Sequence, residues 1–330
     1  MSRFRSITFL LFLHIFAWNQ VAGQDAEFSQ FYANPLYINP ALAGTSELGR
    51  MAVNYRSQWP QNGVTYTTYA VSFDHYSDRY RTGWGIQMLH DRQLNDIIRQ
   101  NAATLQYSYH IKAGDWSHIS AGIQAGITRK QFNPANLIFP SMIDQLTGDL
   151  SGMLPGDLEA TSKTYADLGA GILFRHNDVF GGFSLHHLNR PDESIIEGDQ
   201  KGNLPVKFTG HAGASLFRLK RGLFSREFLI SPNVIYRHQG NFKQMNLGLY
   251  FIDRAFLLGG WFRHNLDIRP DALIFLAGIS NQHFQFGYSF DYTLSGLTNY
   301  SYGSHEISLT FYFGRLAGWP DSNRLLIPTI

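Results

Sequence analysis

From residue 47 onward, apolar and polar residues alternate along most of the chain. The clearest stretch is His118-Ile-Ser-Ala-Gly-Ile-Gln-Ala-Gly-Ile-Thr-Arg-Lys130. Ile119, Ala121, Ile123, Ala125 and Ile127 fall on one face, and His118, Ser120, Gly122, Gln124, Gly126, Thr128 and Lys130 on the other. Side chains of a strand alternate sides, so one surface of this strand is wholly apolar and the other polar and small. Globular strands usually run ~5–6 residues, so a run of this length is long. Length, glycine on the polar face and repetition along the chain together predict a strand tilted across a bilayer in a transmembrane barrel.

The same reading gives strands at 47–58, 64–75, 82–90, 99–110, 117–130, 164–175, 178–188, 206–219, 227–239, 242–252, 255–264, 271–280, 282–292 and 304–313. That is about fourteen, an even number, as a single-chain antiparallel up-and-down β-barrel requires. The linkers sort by parity. After even-numbered strands they are all short, for example 76–81, 111–116 and 176–177. After odd-numbered strands they are mostly longer, as in 131–163, 189–205 and 293–303, with 59–63 and 240–241 the tight exceptions. Outer-membrane barrels carry short periplasmic turns and longer outside loops, so a periplasmic N-terminus places the long set outside. Individual strands sort too: Phe284, Phe286, Tyr288, Phe290 and Tyr292 oppose His283, Gln285, Gly287, Ser289 and Asp291. Pro232 cannot donate to a ladder, which predicts a bulge there. Phe311 and Phe313, near the close of the last strand, resemble a barrel-assembly signal.

Composition narrows the class. The 27 Lys+Arg nearly balance 25 Asp+Glu over 330 residues, with no basic block, which argues against nucleic acid as a partner. The 26 Phe, 17 Tyr and 31 Gly suit aromatic girdles and glycine-containing strands. The mean hydropathy of −0.19 is ordinary, but alternation averages the lipid face away. With no Cys there is neither a disulfide nor a thiolate metal site. Residues 1–23 read as an export signal, with Arg3 and Arg5 ahead of an apolar core and Val21-Ala22-Gly23 at the cleavage site. Residues 24–46 form an irregular periplasmic segment and a candidate plug, 47–313 the barrel, and 314–330 a C-terminal tail.

The segment after the signal carries a recognisable order of residues. Phe28-Ser29-Gln30-Phe31-Tyr32, then Asn34, then Asn39-Pro40-Ala41 and Gly44 resemble the start of the PorP/SprF family of outer-membrane proteins. Asn54-Tyr55-Arg56-Ser57-Gln58-Trp59 resembles that family's first-strand motif, and Ser231-Pro232-Asn233 with Tyr236-Arg237-His238-Gln239 a later one. The resemblance runs from the signal to the final strand. It implies an outer-membrane barrel of the type IX secretion and gliding systems of Bacteroidota. Its partners would be outer-membrane lipid, a secreted adhesin-like surface protein as cargo, and periplasmic, peptidoglycan-associated machinery.

Little chemistry survives inspection, and no enzyme, cofactor or metal is implied. His186 and His187 are adjacent, so within a strand they point to opposite faces and cannot share one ion from inside. Gly182-Phe183-Ser184-Leu185-His186 lacks the closing glycine of a nucleophile elbow and lies mid-strand. The inward face carries both signs, including Arg56, Asp74, Asp167, Arg175, Lys207, Arg237, Asp291 and Glu306. Such groups must be paired or hydrated. The lumen of a barrel of ~14 strands exceeds what its wall side chains fill, so it is either wet or plugged. The long segment 131–163 holds Phe132, Pro134, Leu137, Ile138, Phe139, Met142 and Ile143, too apolar for a freely solvated loop. It either packs into the barrel mouth or forms a partner-binding surface. Two functions follow: docking of an exported surface protein by outer loops, or plugged transport of a small or hydrophobic solute.

Overall fold

A computed structural model describes residues 25–46, 49–60, 65–134, 137, 160–195, 202–221, 226–253, 255–266, 269–281, 283–294 and 302–313. The expected export signal and C-terminal tail, and with them Ile138, Phe139, Met142 and Ile143, lie outside the described residues. Fifteen strands form one sheet: β1 (Gly49–Gln58), β2 (Tyr66–Ser77), β3 (Thr82–Gln93), β4 (Ile98–Lys112), β5 (Ser117–Phe132), β6 (Thr161–His176), β7 (Val179–His186), β8 (Lys207–Ala214), β9 (Phe217–Arg221), β10 (Arg226–Gln239), β11 (Phe242–Asp253), β12 (Phe256–Asn265), β13 (Arg269–Ser280), β14 (Phe284–Thr293) and β15 (Ser304–Tyr312). All pairings are antiparallel, and apart from the closing pair β1–β15 they follow chain order, with β8 and β9 sharing one edge of β10. The sheet closes where β1 pairs with β15, from Arg50↔Tyr312 to Gln58↔Ser304.

Because β8 and β9 flank the same edge of β10, fifteen strands make a fourteen-staved up-and-down barrel. The single strand expected at 206–219 is therefore broken. Between the pairs Asn233↔Gly213 and Ile230↔Phe217, β10 has only Ser231 and Pro232, whereas its neighbour has Ala214, Ser215 and Leu216. The extra residue is a bulge on the strand facing Pro232, while the ladder from β10 to β11 runs through Pro232↔Leu249 without a shift. Proline removes one donor, and the adjacent strand absorbs the mismatch.

Turns at one end of the barrel are short: 78–81, 113–116, 177–178 and 254–255. At the other end lie 133–160, 187–206 and 294–303, the long-loop end. The outward face is apolar, with Ile123 63%, Leu105 64% and Phe256 65% exposed, the inverse of a water-soluble fold. The lumen is not uniformly polar. Leu173, Phe180, Ile235, Tyr250, Leu257, Trp261, Ile274 and Leu276 form an inward apolar patch on β6, β7 and β10–β13.

Candidate functional site

Residues 25–46 lie inside the barrel as a strap. Asp25 sits at the long-loop end, where Lys207 begins β8 and Gln239 ends β10. Gly44 sits at the short-turn end beside Asp74, near the close of β2. The strap therefore traverses the lumen lengthwise before the chain turns into β1.

Two Asn-Pro pairs shape it. Asn34 precedes a single helical turn, α1 (Pro35–Ile38), and Asn39 precedes a 3-10 turn at Pro40–Leu42. Proline has no N–H to lose at the first helical position and already holds the needed φ. The Asn39 side chain accepts from Ala41 N at 2.9 Å, and its amide donates to Ile172 O at 3.1 Å and Phe183 O at 3.2 Å on the wall. Asn34 Oδ1 accepts from Gln87 Nε2 at 2.6 Å. The facing pair Gly122↔Gly171 explains why glycine occupies the polar face of β5 and β6. A Cβ at Gly122 would overlap the Pro40–Ala41 backbone, and one at Gly171 the Asn39 side chain. At the strap's exit, Gly44 has φ +69, and a Cβ there would overlap Gly83. Apolar strap residues enter the apolar patch: Phe31 packs on Trp261 with ring centroids 4.7 Å apart, and Tyr32 meets Phe180 edge-on at 5.7 Å.

A charge network pins the strap to the seam that closes the barrel. Ser29 N and Gln30 N donate to the Glu306 carboxylate at 2.6 and 3.1 Å. Gln30 Nε2 donates to Glu306 O at 2.8 Å, and Ser308 Oγ donates to Gln30 Oε1 at 2.5 Å. Ser29 Oγ donates to Asp291 Oδ2 at 2.6 Å and accepts from Arg56 and Arg263 at 2.6 and 2.7 Å. Arg56 bridges Asp291 at 2.9 Å and Glu306 at 3.3 Å, and Arg263 bonds Asp291 at 3.0 Å. Two guanidiniums and two carboxylates thus balance where all four side chains are at most 5% exposed. Unbalanced charge would be very costly there. Arg56 and Glu306 are also register partners across β1 and β15. At the short-turn end Arg50 grips Asp74 at 2.8 and 3.0 Å, and Asp74 accepts from Gly44 N at 2.8 Å.

A second cluster holds the strap's beginning. Asp25 Oδ2 lies 2.7 Å from Lys207 Nζ and 3.0 Å from His187 Nε2, while His187 Nδ1 lies 2.9 Å from Asp167 Oδ1. With a carboxylate on each ring nitrogen, only the doubly protonated imidazolium satisfies both. Burial opposes that charge, but Asp25 and Asp167 outweigh it and raise the His187 pKa to about 9. Burial likewise opposes ionisation of Asp25, and Lys207 and His187 outweigh it, holding its carboxyl well below the usual range. A cavity with about 50 Å³ of water-sized space lies beside Asp25, lined in part by Tyr37, Gln124, His186 and Lys207. Drug-sized ligand sites need ~300–1,000 Å³, so this one suits a few waters.

The strap gathers most of the residues singled out in the sequence. Phe28, Ser29, Gln30, Asn34, Asn39 and Pro40 are buried in it, and Glu306, Lys207 and Asp167 bind it or the His187 beside it. Arg237 faces inward, 3.7 Å from Glu27 and over the Phe31 ring at 5.1 Å. Asn54 and Asn233 are buried on the inward face, while Tyr236 faces outward and meets Phe208. Arg175 stays apart, paired with His118 at 2.9 Å. Gln58 ends β1, and Trp59 (φ 54) turns away from it. Phe132 ends β5, Pro134 is buried and Leu137 half-buried beyond it, away from the strap. His187 corrects the alternation: β7 stops at His186, and a φ of 60 turns His187 inward. Arg50 and Arg263 were missed by the sequence reading, although both occupy inward positions of strands it identified.

A closed antiparallel barrel, apolar outside and filled by its own N-terminal strap, defines a plugged barrel of the outer-membrane type. Its sequence matches the family model for the type IX secretion system membrane protein PorP/SprF over residues 20–311, and the chain belongs to that family. No curated protein sequence matches it significantly. Among solved structures, a deltaS2S3 mutant of the monoaromatic hydrocarbon channel TodX is similar, with 8% identity, 84% of this chain and 94% of that chain covered, and a TM-score of 0.48. A Pseudomonas aeruginosa FadL homologue gives 11%, 88%, 96% and 0.47, and the Acinetobacter baumannii outer-membrane protein Omp33 gives 7%, 82%, 100% and 0.42.

Proposed function

We propose that this chain is a non-enzymatic outer-membrane component of type IX secretion that supports export or surface attachment of a cognate adhesin-like protein. The long-loop end faces outside and holds the exported partner. The short-turn end and the C-terminal tail face periplasmic, peptidoglycan-associated machinery. The observation that supports docking over passage is the strap, which runs the length of the lumen, held at Asp25 by an ion pair with Lys207 and at Gly44 by a hydrogen bond to the buried Asp74. Residues 133–160, with Phe139, Met142 and Ile143, supply the partner-binding surface. Removing 133–160 is expected to leave an inserted, folded barrel that no longer retains the surface protein on cells. Undiminished retention in a whole-cell surface assay sinks the reading. The rival, a transporter for a small or hydrophobic solute, predicts ohmic conductance in planar bilayers. The plugged docking barrel predicts none.

A further inference from the structure

The register also orders the outer wall. The last apolar outward residues of β3, β4, β5 and β6 are Met88, Ala103, Ile127 and Ala166, which pair in turn around the barrel. One row further toward the long-loop end come His90, Asn101, Arg129 and Thr164, again paired in turn. The next row is Arg92, Arg99, Gln131 and Ser162. The change from apolar to polar therefore occurs at one height across four strands, and hydrogen-bond donors follow immediately. Arg92 and Arg99 face each other directly, and Arg129 lies on the diagonal, within reach of long side chains.

These arginines are accessible. The side chains of Arg92 and Arg99 are 45% and 41% exposed, and Arg129 is exposed. Asp96 binds both of the first two, at 3.0 Å from Arg92 Nε and 2.6 Å from Arg99 Nε. Two guanidiniums thus share one carboxylate and Arg129 stands beside them, so this cluster of four side chains carries two positive charges in excess. The wall at the seam differs: there the outward row at this end is Ser57, His305 and Phe290. The other end of the same strands is aromatic, with Trp84 and Tyr107 rings 4.9 Å apart. Such rings are the usual interfacial girdle, which fits any lipid. A guanidinium fork fits the oxygens of a phosphate, and the level just beyond the apolar belt is where head groups lie.

We infer that Arg92, Arg99 and Arg129 form a binding surface for the phosphorylated head group of an outer-leaflet glycolipid, whose acyl chains lie along Met88, Leu105 and Ile127. The inference rests on the reading that the long-loop end faces outside. The test uses the full-length protein in detergent, titrated with phosphorylated lipid A and with the same lipid A enzymatically dephosphorylated. Native mass spectrometry reads the bound fraction. Phosphorylated lipid A is expected to bind roughly tenfold or more tightly than the dephosphorylated form, and R92Q/R99Q/R129Q to erase that preference, since one lost charge-assisted contact already accounts for about a factor of ten. R129Q alone, which breaks no ion pair with Asp96, is expected to reduce it in part, and keeps the test valid if the triple variant fails to show heat-modifiable folding on a gel. Equal binding of the two lipids, an unchanged preference in both variants, or full competition by millimolar inorganic phosphate overturns the inference. So does loss of an acidic protein partner, with lipid binding intact, in the triple variant. Sidedness is checked separately with N241C, in the turn between β10 and β11, which becomes the chain's only cysteine. Labelling by an impermeant maleimide on intact cells together with no lipid preference refutes the lipid surface alone. Failure to label refutes the outward orientation and the outer-leaflet site with it.

Discussion

The strap is held at the seam and at the long-loop mouth by two different kinds of contact. At the seam, Arg56 and Arg263 face Asp291 and Glu306, and main-chain N–H groups of Ser29 and Gln30 complete the carboxylate. Guanidiniums stay charged across any ordinary pH, so the cationic half of this anchor is fixed. At the mouth, Asp25 depends on His187 and Lys207, and its side chain is 14% exposed. That contact can be titrated. The same short segment thus combines a seam anchor of fixed cations with a conditional latch some four residues away. Placing the conditional contact nearest solvent lets the strap's tip respond to its surroundings while the barrel stays closed.

The largest expected effect comes from the seam anchor. Glu306→Ala leaves Arg56 short of a partner and strands two buried N–H groups, a loss of ~3–5 kcal/mol. Its heat-modifiable folded band should disappear at markedly lower temperature than that of the wild type. A melting profile unchanged by this substitution removes the distinction between the two contacts.

The latch should give a smaller, pH-dependent effect. His187 rises from an ordinary value near 6.5 to about 9, so its contribution is complete below pH 6.5 and fades as pH climbs through 9. Asp25 is lowered, so its contribution holds above its ordinary value of 3.8 and is lost as pH falls beneath that. The stability difference between wild type and His187→Gln, as much as ~3 kcal/mol, should therefore be widest between about pH 4 and 6.5 and close by about pH 9–10. Thermal melts in detergent across that range provide the measurement, and a difference that is flat with pH contradicts the titratable latch. Asn39→Ala, at the middle of the strap, should cost least, ~1 kcal/mol from the lost cap together with its wall contacts. A cost equal to that of Glu306→Ala in the same melts would mean that anchoring is spread evenly along the strap.

Much of the barrel was legible because lipid enforces strict alternation. Every second residue of β5 or β14 must satisfy hydrocarbon, and the other half need not. The count of staves survived even though 206–219 broke into two strands, because the bulge beside Pro232 inserts one residue without adding a stave. The strap was less legible. It has no period, and its turns depend on Asn-Pro pairs whose placement in the lumen is set by partners as distant as Glu306. Its residues stood out only through the family resemblance, while the inward glycines of β5 and β6 were visible without their purpose. His187 escaped because alternation presumes an extended backbone, and one left-handed residue ends it. Arg50 and Arg263 lay on the correct face, but nothing local marks which inward arginine meets which carboxylate.

The Ser29–Glu306 contact joins residues separated by 277 positions. It also has a meaning in time. Glu306 belongs to the last strand of the barrel, so this one contact of the strap must wait for nearly all the rest of the chain. Contacts of such separation form late, after shorter-range pairings have accumulated. When the final strand does zip onto the first, Arg56 and Glu306 come together and the waiting segment is fastened by that same event. Seam closure and the Glu306 mooring are thus a single event: a barrel whose seam is still open lacks that hold on the strap, and one whose seam is shut has it.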